Sequence, residues 1–192
     1  MKDAFAKTLS LILGFPLIIF LVVYGVYLAN LGFTKTITVL LLLIFFQMFI
    51  PTIFLIGLYK MKMISDIDII NRKERVLPFL LVTFCFSIAV ILSRQFGNIF
   101  LFNFQLILFI TMLVSFAITL FWKISLHMGL STVTFIFLLA FSGVRFLPFI
   151  IMIPLIYWAR LYLKRHTHAQ LIAGFLVNAV MTLSLLKYFT YL

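Results

Sequence analysis

"FLPFIIMIPLIYWARLYLKRHTHAQLIAGF", residues 146–175, joins two apolar runs through a cluster of cations and histidines. The uncharged part of the first run, 146–159, has 14 residues. Wound as an α-helix it reaches only about 21 Å, short of the roughly 30 Å of hydrocarbon in a bilayer. It can cross only by continuing through Arg160 into Leu161, Tyr162 and Leu163. That reading forces Arg160 below the interface, and a charge held inside a membrane is a functional site by default.

The rest of the chain supports lipid as the solvent. Of 192 residues, 66% are hydrophobic and 10% are charged, 25 are phenylalanine, and the mean hydropathy is +1.30. A water-soluble domain of this size has no interior large enough for so much apolar surface. The net charge of +11 is therefore no sign of nucleic acid, because basic residues of membrane proteins gather at headgroups and on the cytoplasmic side. Cys85 stands alone in an apolar stretch, which excludes a disulfide framework and a cysteine metal cluster. No charge falls between Lys7 and Lys35. That run is longer than the core of a cleavable signal, and it reads as a retained span.

Charges divide the chain into uncharged blocks at 8–34, 36–59, 76–93, 95–122, 124–144, 146–159 and 166–186. Six match the length of a spanning helix, and the seventh crosses with Arg160 included. The expected fold is all-α: one membrane-embedded helical bundle over residues 1–192, with six to seven transmembrane helices. Sheets are excluded because no barrel-like alternation appears and an open sheet leaves its backbone unsatisfied in lipid. Pro16, Pro51 and Pro154 fall inside spans and are expected to kink them.

Polar residues cluster at 60–75, 123–127 and 160–170, with two spans between successive clusters. Parity then places all three on one face of the membrane. That face, with the N-terminus, carries eleven of the fifteen lysines and arginines, and the other carries Lys35, Arg94, Arg145 and Lys187. The excess points to the cytoplasm. It narrows to seven against four once Arg72, Arg75, Lys123 and Arg160 are assigned to a ligand. The short chain without extramembrane domains fits a prokaryotic inner membrane.

His166 and Gln170 are four residues apart and would share a helix face. The Gln170 carbonyl can accept a ring N–H and orient the imidazole. Arg160 lies six residues earlier and can curl back. A cation, an oriented imidazole and a dry setting are the parts of phosphoryl transfer through a histidine nucleophile. In "WKISLHMGLS", residues 122–131, His127 can act as a general acid, Ser125 can donate to a phosphate oxygen, and Lys123 can neutralise it. Taken alone, His127 reads more readily as a headgroup-level anchor, and His168, pointing to the opposite face, as an interfacial residue.

Together these residues resemble the type-2 phosphatidic acid phosphatase superfamily, which includes the vanadium haloperoxidases. Its third motif is Ser-Arg, five residues, His, three residues, Asp; Arg160, His166 and Gln170 keep that spacing. Its second motif is Pro-Ser-Gly-His, and "ISLH" keeps Ser125 and His127. The resemblance covers the last seventy or so residues. It implies His166 as nucleophile, His127 as acid, and Arg160 with Ser125 as holders of phosphate oxygens. It also implies no metal and no other cofactor, with a lipid phosphate as substrate, membrane lipids as surroundings and no nucleic-acid partner. Aspartate is replaced by Gln170, serine by Ala159, and the motif-two proline and glycine by Ile124 and Leu126. The first motif, Lys, six residues, Arg-Pro, is matched only by Arg75 before Pro78, with Asp68 at the lysine position. Lys123 is expected to supply that cation.

The loop "SDIDIINRKERVLPF", residues 65–79, reads either as a phosphate-binding segment through Arg72 and Arg75 or as a solvated loop whose acids pair with its own bases. It is also similar to the aspartate segments of intramembrane prenyltransferases, although no second acidic cluster exists. A non-catalytic protein that binds or moves a phosphorylated lipid is the main alternative to the phosphatase.

Overall fold

The computed structural model describes residues 2–14 and 33–192, and every regular element among them is helical. In chain order these are α1 (Lys2–Gly14), α2 (Phe33–Ile44), a π-helical turn (Phe45–Phe49), α3 (Ile50–Lys60), a 3₁₀ turn (Lys73–Arg75), α4 (Val76–Gln95), α5 (Ile99–Phe121), α6 (Leu126–Ser142), a 3₁₀ helix (Val144–Ile151), α7 (Met152–Tyr162) and α8 (His168–Tyr188). Among the described residues, five stretches are long and apolar enough to cross a membrane: Ile37–Lys60, Lys73–Gln95, Ile99–Phe121, Val144–Tyr162 and His168–Tyr188. The expected count of six to seven spans is not reached among the described residues. α6 has 17 residues, because Ser125 starts it late and Gly143, at φ +79°, stops it. The first expected span, 8–34, and Pro16 lie largely outside the described residues.

The chain gathers into two compact units, residues 32–123 and residues 1–31 with 124–192. In the unit 32–123, the Pro51 kink takes the form of the π turn directly before it. Proline has no N–H, and its ring would strike the carbonyl four residues back in a regular α-helix. The ladder widens instead, so that Ile50 N–H donates to the Phe45 carbonyl. The turn presents Gln47, whose Nε2 donates to Gln105 Oε1 of α5 at 2.7 Å, both side chains being buried. α4 shows Leu77, Leu80, Phe84 and Ile91 outward, one apolar stripe at helical spacing. Hydroxyls inside the spans bond back to their own helix, as Thr83 does to Phe79 and Thr119 to Ser115. Such bonds satisfy them where water is absent.

The other unit contains α1, α6, α7 and α8. Here the short block 146–159 gains the reach to cross, by a device that residue counting misses. Its first half is the 3₁₀ helix Val144–Ile151, of 8 residues, followed by the 11 residues of α7. At about 2.0 Å per 3₁₀ residue and about 1.5 Å per α residue, the pair reaches roughly 32 Å. Arg160 is inside this span, as expected.

α8 is polar inward and apolar outward. Leu171, Gly174, Asn178, Thr182 and Leu186 face the unit's interior, while Ile172, Leu176, Val180 and Leu183 are exposed. Small and polar residues at the contact let helices approach closely in lipid. Gly174 shows why: a Cβ there would lie 2.6 Å from the Ser125 carbonyl oxygen. A Cβ on Gly129 of α6 would lie 2.4 Å from Asn178 Nδ2, and that amide donates to the Gly174 carbonyl at 2.9 Å.

Candidate functional site

The end of α7 and the start of α8 carry the third polar cluster. α7 closes with a Schellman turn: Arg165 N–H donates to the Arg160 carbonyl at 3.0 Å, and Lys164 N–H to the Leu161 carbonyl at 2.8 Å. Lys164 occupies the left-handed position at φ +53°, where glycine is usual. The turn reverses the chain within residues 163–167 and delivers His166 to the mouth of α8.

α8 opens with a capping box that sequence reading overlooked. Thr167 Oγ1 accepts the Gln170 N–H, and Gln170 Oε1 accepts the Thr167 N–H. His166 therefore precedes the helix. The expected shared helical face is absent, yet the expected contact exists. Folded back by the capping box, Gln170 Oε1 also lies 3.2 Å from His166 Nδ1.

This arrangement decides the protonation pattern. A backbone N–H can only donate, so the Gln170 atom facing Thr167 is the oxygen. An amide oxygen can only accept, so Nδ1 of His166 carries a proton in this contact. His166 is buried, with 6% of its surface exposed.

Arg160 is 1% exposed, in the last turn of α7. Helical side chains lean toward the helix N-terminus, and this guanidinium is buried within the unit. Its Nη1 donates to Ser10 Oγ of α1 at 2.7 Å.

Ser125 is the N-cap of α6. Its Oγ accepts the Met128 N–H at 3.3 Å, and its own N–H donates to the Gln170 carbonyl at 3.2 Å. The first turns of α6 and α8 are thus bonded backbone to backbone. Met128, Ile156 and Leu171 pack beneath this junction as an apolar floor shared by α6, α7 and α8. His127 is the second residue of α6 and half-buried. His168 meets Tyr157, whose hydroxyl is 2.5 Å from its Nδ1.

Arg72, Arg75 and Lys123 belong to the unit 32–123. Arg72 donates to the Leu120 carbonyl in the last turn of α5, a favourable place for a cation at a helix C-terminus. Buried Arg75 donates through Nε to the Ile69 carbonyl at 2.8 Å. Ile69 is a β-branched residue at φ +43°, so Arg75 fastens a strained turn. Glu74 takes the Ser65 N–H and hydroxyl at 2.7 and 2.9 Å and the Asn71 amide at 3.1 Å. Loop 61–75 is organised largely by bonds to its own backbone and polar side chains. Lys123 is half-buried in the connection between α5 and α6.

The structure thus brings Ser125, Gln170 and His166 together, sets His127 and Arg160 on the elements that meet there, and gives Arg72 and Arg75 structural partners. Thr167, Ser10 and Gly174 were missed. The Thr-x-x-Gln spacing of 167–170 is a readable capping signal, whereas Ser10 carries no signal linking it to Arg160. Among the described residues no group of three or more His, Cys, Asp or Glu could hold a metal ion. Comparison of the chain with protein-family models, curated proteins and solved structures finds no match.

Proposed function

We propose that the protein is a membrane-embedded phosphatase that removes phosphate from a phospholipid or polyprenyl carrier through a phosphohistidine. The observation that carries this reading is the bond from His166 Nδ1 to Gln170 Oε1 at 3.2 Å, which holds the imidazole by one nitrogen and assigns the other, Nε2, the role of nucleophile. His166 Nε2 bonds to phosphorus as the phosphorus–oxygen bond to the lipid breaks, and His127 gives its proton to the departing oxygen. Water, deprotonated by His127, then breaks the phosphorus–nitrogen bond, releasing phosphate and restoring both histidines. Arg160 neutralises charge on the transferring group, with Ser125 donating to it. The apolar outer faces of the helices leave the substrate's tail in lipid while its headgroup enters the site.

A second reading has its own support. Gln170 is neutral and already employed in the capping box, so the carboxylate that would stabilise an imidazolium is missing. Loss of the triad carboxylate in serine proteases costs roughly 10⁴-fold. On that ground the same basic pocket would serve a protein that binds or translocates a phosphorylated lipid.

The two readings separate in one assay. Purified protein in detergent with EDTA is offered phosphatidic acid and polyprenyl mono- and diphosphates, and free phosphate is measured. Release by the wild type and none by His166→Ala supports the phosphatase. Lipid binding without release supports the second reading.

A further inference from the structure

We infer that Ser10 of α1 is a positioning residue for Arg160, which makes the N-terminal helix a working wall of the phosphate site; this rests on the reading of that site given above. Arg160 Nη1 and Ser10 Oγ are 2.7 Å apart across 150 positions of sequence, the separation of a charge-assisted hydrogen bond. Both are buried, at 1% and 5% exposure. A long guanidinium stem has many rotamers, and only a fixed acceptor holds its fork in one of them.

The chemistry of the acceptor matters as much as its place. A carboxylate at position 10 would hold the guanidinium but cancel its charge. A hydroxyl accepts Nη1 without adding a negative charge of its own, and its proton is still able to be donated. Serine therefore orients Arg160 without competing with phosphate for it.

α1 is held in place for this task by contacts apart from Ser10. Asp3 is the hydrogen-bond partner of Tyr162, and the Phe5 and Trp158 rings lie 6.0 Å apart. Ser10 is seven residues beyond Asp3, about 10 Å further along the helix. It meets the Arg160 side chain where that side chain leans inward from the last turn of α7. Removing the Ser10 hydroxyl leaves the other two contacts, so α1 stays docked while Arg160 loses one of the bonds that direct it.

The test uses the full chain in detergent with EDTA and phosphatidic acid micelles. Melting temperature is followed for each variant. Ser10→Ala is expected to lower kcat/KM for phosphate release about tenfold, the usual scale for one hydrogen bond to a charged group, and Ser10→Thr to restore it. In an Arg160→Ala background, Ser10→Ala is expected to cost nothing more, because the two act as a unit. If the wild type hydrolyses or binds phosphatidic acid and Ser10→Ala matches it in that property, or the losses multiply in the double variant, the assignment of Ser10 fails alone. A wild type that neither hydrolyses nor binds phosphatidic acid overturns the reading of the site, and Ser10's role with it.

Discussion

His166 Nδ1 and the Thr167 backbone nitrogen both lie 3.2 Å from one atom, Gln170 Oε1. A single amide oxygen thereby starts α8 and fixes the tautomer of the neighbouring imidazole. The helix cap and the proposed nucleophile are one construction, so substitutions at Gln170 act on both.

Gln170→Glu keeps the reach needed for the capping box and adds a charge that stabilises an imidazolium. The expected result is an unchanged melting temperature with phosphate release raised at least tenfold. Gln170→Ala is expected to cost about 1 kcal/mol of stability, the usual worth of a cap, and to lower the rate. Calorimetry and a phosphate assay on the same preparations check both.

Gly174 allows α8 to touch the backbone of Ser125. A Cβ there meets a carbonyl oxygen at 2.6 Å, which cannot rotate away. Gly174→Ala is expected to destabilise by about 1–3 kcal/mol, the range for overpacking. Gly129→Ala meets the movable Asn178 amide instead and is expected to cost less. Unfolding in mixed micelles orders the two.

Among the described residues, three helices end in Schellman turns whose left-handed residue is Lys62, Lys164 or Thr190 rather than glycine. The left-handed conformation costs a side-chain-bearing residue about 1 kcal/mol or more. Lys62→Gly and Lys164→Gly are each expected to stabilise by about that amount. The positions lie in different units, so the double variant is expected to show the sum. Chemical denaturation of the single and double variants measures this.

Arg75 holds the Ile69 carbonyl in the strained turn of loop 61–75. Arg75→Met is expected to loosen that loop first, seen as faster hydrogen exchange across 61–75 than across α4. Unchanged exchange across 61–75 would show the bond to be dispensable.

The helical class and a stretch at Val144–Tyr162 able to cross were legible because block length and charge placement record what lipid permits. Gross hydropathy could not reveal local winding. The 3₁₀ stretch of residues 144–151 supplies reach that a residue count at α-helical rise denies, and Pro51 is accommodated by widening a turn rather than by a simple bend. Helix ends were hidden where lysine occupies a glycine position. At the site, His166 and Gln170 were paired for the wrong geometric reason. Periodicity put them on one helix face, whereas a capping box brings the glutamine back to a residue outside the helix. Arg160 was found by its cost in a short span. Its acceptor Ser10 was invisible, because a contact across 150 positions leaves no local pattern.

The most direct test asks whether His166 carries the phosphoryl group. Protein turning over phosphatidic acid is quenched at alkaline pH, where phosphohistidine survives, and its peptides are read by mass spectrometry. A phosphoryl adduct on His166, absent from His166→Ala, is the predicted result. Phosphate release that persists in His166→Ala, or an adduct on another residue, would contradict the account.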